Sequence, residues 1–464
     1  MTNPILNTDS YKTGHYKMYP EGTEYVSSYI EARKGPLGWD PVFLGLQPFL
    51  IDYLQTPITQ ENIDEADEVL SAHGVPFNRE GWEYILAEHD GFLPVRIEAL
   101  PEGTPCGIGT CLVQVVNTDP KVPWITSYVE TALLRAVWYP TTVATLSREA
   151  KKLIKKYMLL TAGHTEGIDF MLHDFGARGV SSRESADVGG LAHIVNFMGT
   201  DTLTGILAAR RYYGAEGMPA FSVAAMEHST VTSWGRDGEV DAYRNMIQNA
   251  GEGQIVSIVS DSYDIWNTVD TIYGETLRAD ILALADRGGR LVVRPDSGDA
   301  TVVPVDVVEK LMESFGYTTN NLGFKVLPPF LRVLQGDGIN YDSMQIIMQN
   351  AMIRGISTEN FVFGMGGGLL QQINRDTLSF AMKASAICVN GEWRDVYKDP
   401  IGGSKPSKKG RLAVAKWNNE SEKGWTYETF KSGPNTHSEL VPIFENGKIL
   451  KTVTFAELRE NAKL

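Results

Sequence analysis

Cysteine is scarce in this chain. Cys106, Cys111 and Cys388 are the only three in 464 residues, and they form neither an even disulfide set nor a metal-ligand spacing. Reduced, partly buried thiols in a cytoplasmic protein are the expectation. Long hydrophobic runs are missing too: no apolar stretch approaches the ~20 residues that span a bilayer. The opening MTNPILNTDSYK lacks a basic region followed by an apolar one, so no signal peptide and no membrane partner are expected. Cationic charge is in deficit, with 42 Lys and Arg against 57 Asp and Glu and a net charge of -15. That excludes general nucleic-acid affinity, which needs a basic face. A small phosphorylated ligand remains possible, because a few local arginines can hold one. No Gly-x-Ser-x-Gly, His-Glu-x-x-His or Walker-type loop occurs. The Asp-Phe-Gly triplet at 174–176 lacks the upstream glycine-rich and His-Arg-Asp loops of protein kinases. The glycines of 364–368 miss the dinucleotide fingerprint, because its sixth position is Leu369.

What the chain does have is a soluble composition, 43% hydrophobic and 21% charged, and length enough for two or three cores. Residues 1–160 mix short β-prone runs such as EYVSSYIEA and CLVQVV with helical ones such as YVETALLRAVW. Residues 386–464 are β-like again. The two ends are expected to pair into one mixed α+β domain. The basic segment KDPIGGSKPSKKGRL (from Lys398) reads as a flexible loop, and KKLIKK (from Lys151) as a solvated helix face.

The middle, 161–385, is organised by seven segments of one form: IDFMLHDFGARG (from Ile168), NFMGTDT (Asn196), AFSVAAMEHS (Ala220), IVSIVSDS (Ile255), LVVRPDSG (Leu291), LRVLQGDG (Leu331) and FVFGMGGG (Phe361). Each is an apolar run that stops abruptly in glycine, carboxylate, arginine or histidine. Their ends recur every 27 to 41 residues, the length of a strand, a helix and the return. Buried parallel strands read as continuous apolar runs, and ligand chemistry collects where such strands end. The pattern predicts an α/β barrel with polar groups converging at its C-terminal mouth. Between the strands, Asp201 is a candidate cap for the helix DTLTGILAARRYYG, and Ser181 with Glu184 has the spacing of a capping box.

The predicted mouth holds Phe175, Arg178, Asp201, Ser222, His228, Ser257, Asp261, Arg294, Asp296, Gly336, Asp337, Gly366 and Gly367. Carboxylates accept from ribose hydroxyls, arginine forks grip phosphate oxygens, and glycine loops bring backbone N–H groups close to a phosphate. A phosphorylated sugar suits the set, and Phe175 offers a flat face to an aromatic ring. Taken singly, each residue has a plainer reading: Asp201 as a helix cap, Arg294 with Asp296 as a structural ion pair, His228 as an interior histidine, Phe175 as core. Their recurrence at matching places in consecutive units favours a site.

On these residues the chain resembles the nicotinamide phosphoribosyltransferases. The likeness runs in order from TDSYKTGHYKMYPEGTEYVSSYIEAR through HDFGARGVSSRES, FMGTDT, EHSTVTSWG, VSDSYDIWN, VVRPDSGD, KVLPPFLRVLQGDG and FGMGGGLLQQINRDTLSFAMKAS to YKDP and SKKGRL. The resemblance implies an irregular α/β barrel of the type II phosphoribosyltransferase kind, with a second mixed α+β domain from both termini. It implies a cytoplasmic homodimeric glycosyltransferase of NAD salvage, joining nicotinamide to 5-phosphoribosyl-1-pyrophosphate to give nicotinamide mononucleotide and pyrophosphate. Phe175 would stack on the pyridine, with Tyr11 of the other subunit opposite. Asp201 and Arg294 would hold the carboxamide, with Ser222 and Ser257 alongside. Asp296 would sit near the ribose, with Asp261, Gly336, Asp337, Gly366 and Gly367 around ribose and 5'-phosphate. Arg375 and Lys383 of the partner would grip that phosphate. Arg178, with Arg33 and Lys398 of the partner, would hold pyrophosphate. His228 would be phosphorylated by ATP, and Mg²⁺ would ride mainly on the pyrophosphate, with no metal cage of protein ligands. The likeness departs at EARKGP (from Glu31), where the family carries a more basic run. No role is assigned to Lys405 or Lys408. Two alternatives stay open: a nicotinate phosphoribosyltransferase, and a catalytically silent binding protein of the same fold. Asp201 discriminates the first, since a carboxylate beside the exocyclic group favours an amide and repels a substrate carboxylate.

Overall fold

The computed structural model describes residues 3–399, 401, 407–419, 424–433 and 436–464. The chain forms two compact units. One comprises Met1–Thr145, Ala209–Ala215 and Ile373–Lys463; the other comprises Leu146–Ala208, Glu216–Gln372 and Leu464.

The first unit is built on a seven-stranded antiparallel sheet. Its strand order is Glu392–Asp395, Ala381–Val389, Thr23–Glu31, Val113–Asn117, Val95–Ala99, Val441–Glu445 and Lys448–Ile449. Thr23–Glu31 pairs with Ala381–Val389 on one side and Val113–Asn117 on the other, so both ends of the chain share one sheet. The core beneath it includes Tyr29, Ile97, Val113, Trp82, Trp124 and Tyr128, with the Trp82 ring edge-on to both Trp124 and Tyr128. Edge-to-face packing of this kind suits the aromatic quadrupole.

The second unit carries the seven segments as parallel strands: Leu172–Asp174, Gly199–Thr200, Ala224–Ala225, Ile255–Val259, Arg290–Arg294, Leu331–Gln335 and Phe361–Met365, hereafter the first to seventh ring strands. In space each lies beside its neighbour in sequence, and the seventh returns to pair with the first. The second and third strands are only two residues long. Between them the ring is joined by one parallel bridge, Gly199 to Phe221, with Thr200 N–H donating to the Phe221 carbonyl at 3.0 Å. Gly199 is required there: a Cβ on it would lie 2.7 Å from the His173 ring. Helices fill the intervals, among them Arg183–Ile194, Glu239–Gln248, Val303–Phe315 and Tyr341–Ile353.

Three local expectations change. Ser182, not Ser181, caps Arg183–Ile194, its hydroxyl accepting from Ser185 N–H at 3.1 Å. The helix after the second strand opens at Leu203, and Asp201 bonds elsewhere. Lys151 is not merely solvated: its Nζ donates to Asp169 and to the Asn196 carbonyl, each at 2.5 Å. The basic loop around Lys405 lies outside the described residues. Lys408 anchors its far side, donating from its backbone to Tyr29 Oη at 2.8 Å and from Nζ to the buried Glu31 at 2.5 Å.

Candidate active site

The turn after the first ring strand aims Phe175 across the mouth of the ring. Its N–H donates to the Met365 carbonyl at 3.0 Å, holding the turn to the end of the seventh strand. The ring occupies space left by glycine. A Cβ on Gly364 would come within 2.2 Å of Phe175, and one on Gly336 within 3.4 Å. Beside it, Asp201 accepts from the Ser222 hydroxyl at 2.5 Å. Arg294, at the end of the fifth strand, donates from one terminal nitrogen to the Met226 carbonyl at 3.0 Å. Its Nε is buried and has no hydrogen-bond partner, and the same holds for Ser257 Oγ.

Phe175, Asp201, Ser222, Ser257 and Arg294 all line one cavity of about 730 Å³. Its wall extends to Ile255, Arg290 and Phe361, the first residues of the fourth, fifth and seventh strands, so it runs along the axis of the ring. The interior of a regular eight-stranded barrel is packed with side chains; this one is open. Unpartnered buried polar atoms in such a wall are groups that a ligand can satisfy.

A second, more polar cavity of about 450 Å³ adjoins the first, and Phe175 and Arg294 belong to both walls. Its other lining residues include Arg178, Asp296, Gly336, Asp337, Gly366 and Gly367. A Cβ on Gly367 would meet only open space, so the backbone there is accessible from the cavity. Gln335 Nε2 donates to the Asp337 carbonyl at 2.9 Å and steadies that loop. An arginine with glycine-loop amides is an anion site, and the neighbouring carboxylates accept from hydroxyls.

His228 begins the short helix His228–Thr232, and its side chain is 45% exposed. Nδ1 lies 3.0 Å from Ser262 Oγ and Nε2 lies 3.3 Å from Asp296 Oδ2. Asp261 is nearly buried. Its Oδ2 accepts from the Asp296 N–H at 2.9 Å and from the Ser297 hydroxyl, while Oδ1 has no partner and stands 3.9 Å from His228 Nε2. Asp261 therefore orients the turn that carries Asp296, and a carboxylate steadies one nitrogen of an accessible imidazole.

The remaining five candidates fall in the other unit. Tyr11 is 61% exposed, with its ring edge-on to His15. Arg33 donates from Nε to the Ser379 carbonyl at 3.1 Å. Arg375 pairs with Asp376 at 3.3 Å. Lys383 keeps an exposed side chain on its strand; partial desolvation by its surroundings lowers its pKa, with Glu130 opposing that shift and Arg33, Lys12 and Arg375 reinforcing it. Lys398 is fixed through its backbone, whose N–H donates to Ser407 Oγ at 2.8 Å. Lys12, which sequence reasoning passed over, is buried and bound to Glu130 at 2.6 Å. Its position directly after Tyr11 was the only signal.

Comparison with known proteins gives the same picture from a different direction. Residues 170–439 match the profile of the nicotinate phosphoribosyltransferase (NAPRTase) family, and residues 3–97 match the nicotinamide phosphoribosyltransferase N-terminal domain. A nicotinamide phosphoribosyltransferase of Xanthomonas campestris pv. campestris is 45% identical over 100% of this chain and 98% of its own length. One from Acinetobacter baylyi is 33% identical over 99% and 96%. In fold, the chain is similar to nicotinate-nucleotide pyrophosphorylase from Pyrococcus furiosus, at TM-score 0.62 and 17% identity, covering 99% of this chain and 95% of the other. It is also similar to human nicotinic acid phosphoribosyltransferase, at TM-score 0.55 and 17% identity, covering 98% and 93%. With a profile match across the ring unit and full-length relatives at this identity, the chain belongs to the nicotinamide phosphoribosyltransferases, within the NAPRTase family.

Proposed function

We propose that this protein transfers the phosphoribosyl group of 5-phosphoribosyl-1-pyrophosphate to nicotinamide, a reaction of NAD salvage. The observation that carries this reading is the pairing of the two cavities. Asp201 and an Arg294 with a free Nε flank Phe175 in one, and Arg178 with the glycine loops lines the other. Phe175 stacks on the pyridine, with Tyr11 from a second subunit on the opposite face. Asp201 accepts from the carboxamide N–H and Arg294 donates to its carbonyl, with Ser222 and Ser257 beside the ring. The pyridine nitrogen forms a bond to the ribose anomeric carbon as that carbon's bond to pyrophosphate breaks, and the electron pair leaves with pyrophosphate. An oxocarbenium-like state between the two needs positioning and charge stabilisation rather than a protein nucleophile. Asp296 sits beneath that developing charge. Asp261, Gly336, Asp337, Gly366 and Gly367 serve the ribose and 5'-phosphate with Arg375 and Lys383 of the partner, and Arg178 serves pyrophosphate with the partner's Arg33 and Lys398.

Among the described residues no group of three or more His, Cys, Asp or Glu could hold a metal ion. Mg²⁺ suits this site as a companion of the donor, since it keeps to substrate oxygens and one or two carboxylates. Asp296, and Asp261 with its free Oδ1, are the carboxylates at hand; the ion would neutralise charge on the departing pyrophosphate. ATP is the coupling substrate, with His228 as the phosphoryl acceptor. The accessible imidazole and its Asp296 contact support that role. The active form is a cytoplasmic homodimer. Its three cysteines are free, and no helix among the described residues is long and apolar enough to cross a membrane.

The competing substrate is nicotinate, the base named by the family profile. Asp201 weighs against it by charge. The deciding assay supplies donor and Mg²⁺ with either base and measures mononucleotide and pyrophosphate. Turnover of nicotinamide is expected. Turnover of nicotinate alone, or of neither base, overturns the reading.

A further inference from the structure

We infer that Asp174 is a positioning residue for the base pocket, setting Phe175 and Asp201 from one point at the end of the first ring strand. Its side chain is wholly buried. Its carbonyl accepts from the Asp201 N–H at 2.9 Å, and its carboxylate Oδ1 accepts from the Gly176 N–H at 2.7 Å. Between those two bonds lies Phe175, itself held to Met365. One residue therefore spans the ring-stacking group and the amide acceptor. This inference rests on the proposed roles of Phe175 and Asp201.

The turn has no slack. A Cβ on Gly176 would lie 2.6 Å from the Leu370 side chain and 3.0 Å from Asp174 Oδ1 itself. Oδ2 and the Thr202 hydroxyl are both buried and neither makes a hydrogen bond within normal distance and angle limits, although Thr202 is near enough to the carboxylate to oppose the rise in its pKa. A carboxylate kept in such a place is costly, and burial, with the negative Asp201 adding to it, raises its pKa to about 6. Core packing alone would be served better by an apolar side chain. The Oδ1 bond to Gly176 is what an apolar residue could not supply, because an aspartate two residues before an N–H closes an Asx-type turn. It is that acceptor, rather than the charge, that aims Phe175.

The test compares Asp174→Ala, which removes the acceptor, with Asp174→Asn, which keeps an oxygen in place. Steady-state kinetics are run with nicotinamide and donor varied separately, on proteins whose melting is checked first. Asp174→Ala is expected to raise the nicotinamide KM about tenfold with the donor KM changed less than about twofold, as the loss of one buried acceptor implies. Asp174→Asn is expected to restore the base KM to within about threefold. The double variant Asp174→Ala/Phe175→Ala should be little worse than Phe175→Ala alone, since both changes act on one group. Equal rises in both KM values, fully additive effects, or an Asp174→Asn variant as impaired as Asp174→Ala overturn the inference. If Asp174→Ala does not fold, the near-isosteric apolar variant Asp174→Leu, which also lacks the acceptor, takes its place in each of these comparisons. A wild type that turns over neither base sinks the parent reading and this one with it. An active wild type whose base KM ignores Asp174 sinks this one alone.

Discussion

The Asp201 carboxylate accepts a hydrogen bond from the Ser222 hydroxyl at 2.5 Å, linking the end of the second ring strand to the segment that leads into the third, where a single backbone bridge, Gly199 to Phe221, joins the two. The bond holds a carboxylate in the wall of the cavity of about 730 Å³, where we propose the base binds. Replacing Asp201 with Ser removes the charge that repels a substrate carboxylate. We expect kcat/KM for nicotinate to rise relative to nicotinamide by at least tenfold, about 1.4 kcal/mol of discrimination. An unchanged ratio in a folded variant would reduce Asp201 to a strand-end tie.

Phe175 and Gly364 provide a matched pair of tests. Phe175→Ala removes a stacking face worth about 0.5–1.5 kcal/mol beyond buried area, so the nicotinamide KM should rise several-fold more than the donor KM. Gly364→Ala leaves the phenyl ring in place chemically but sets a methyl 2.2 Å from it, which forces the ring aside. It should reproduce the same selective rise. A Gly364→Ala enzyme with wild-type kinetics would show that the ring's position is unimportant.

His228 is expected to carry the phosphoryl group from ATP. While uncharged, an imidazole is a nucleophile, and the Asp296 carboxylate at 3.3 Å from Nε2 can steady it. His228→Ala should abolish ATP hydrolysis and acid-labile phosphate on the protein while leaving ATP-independent synthesis measurable. A folded His228→Ala protein that hydrolyses ATP at the wild-type rate ends the assignment.

Shared active sites can be tested by complementation. The candidates in the ring and those in the unit built from both termini would come from different subunits. Inactive Asp296→Ala and Lys398→Ala proteins are mixed under conditions of subunit exchange. In a heterodimer one site draws both defects and the other neither. With half the dimers mixed, about a quarter of sites regain activity. No recovery, with exchange verified by mass, would put both residues in one subunit's own site.

Acid stability should depend on His193, buried with Nδ1 at 3.0 Å from Ser147 Oγ and Nε2 at 3.1 Å from the Gly199 carbonyl. Burial lowers its pKa from 6.5 to about 3, so it stays neutral in the fold and charges on unfolding. Folding then releases protons, and the stability this group provides above pH ~6.5 is lost as pH falls toward 3. Down to pH 4 the loss amounts to about 3 kcal/mol at ~1.4 kcal/mol per pKa unit. His193→Gln should melt lower at pH 7 yet lose less Tm than wild type between pH 7 and 4. Parallel Tm profiles would contradict this.

Much of the ring was legible in the amino-acid order. Its strands are largely buried, which makes Ile255–Val259 (IVSIV) and Leu331–Gln335 (LRVLQ) mainly apolar runs, and the polar residues at or after the end of each run mark the mouth. Hence the candidates of both cavities could be named by position, and pairing of the two termini in one sheet could be expected from their β-like texture. Other features required the folded molecule, because they depend on groups far apart in sequence meeting in space. The bridge from Gly199 to Phe221 joins strands too short to show any period. The openness of the ring follows from side chains that fail to fill it together, which no single segment reveals. The choice of Ser182 over Ser181 as cap was decided by which residue is extended where the helix begins. Asp174, in sequence one letter of a chance kinase-like triplet, acquires its meaning only when burial removes water and leaves Gly176 and Asp201 as its backbone partners. Local order determined where apolar runs begin and end; long-range packing decided which polar atoms were left facing a cavity.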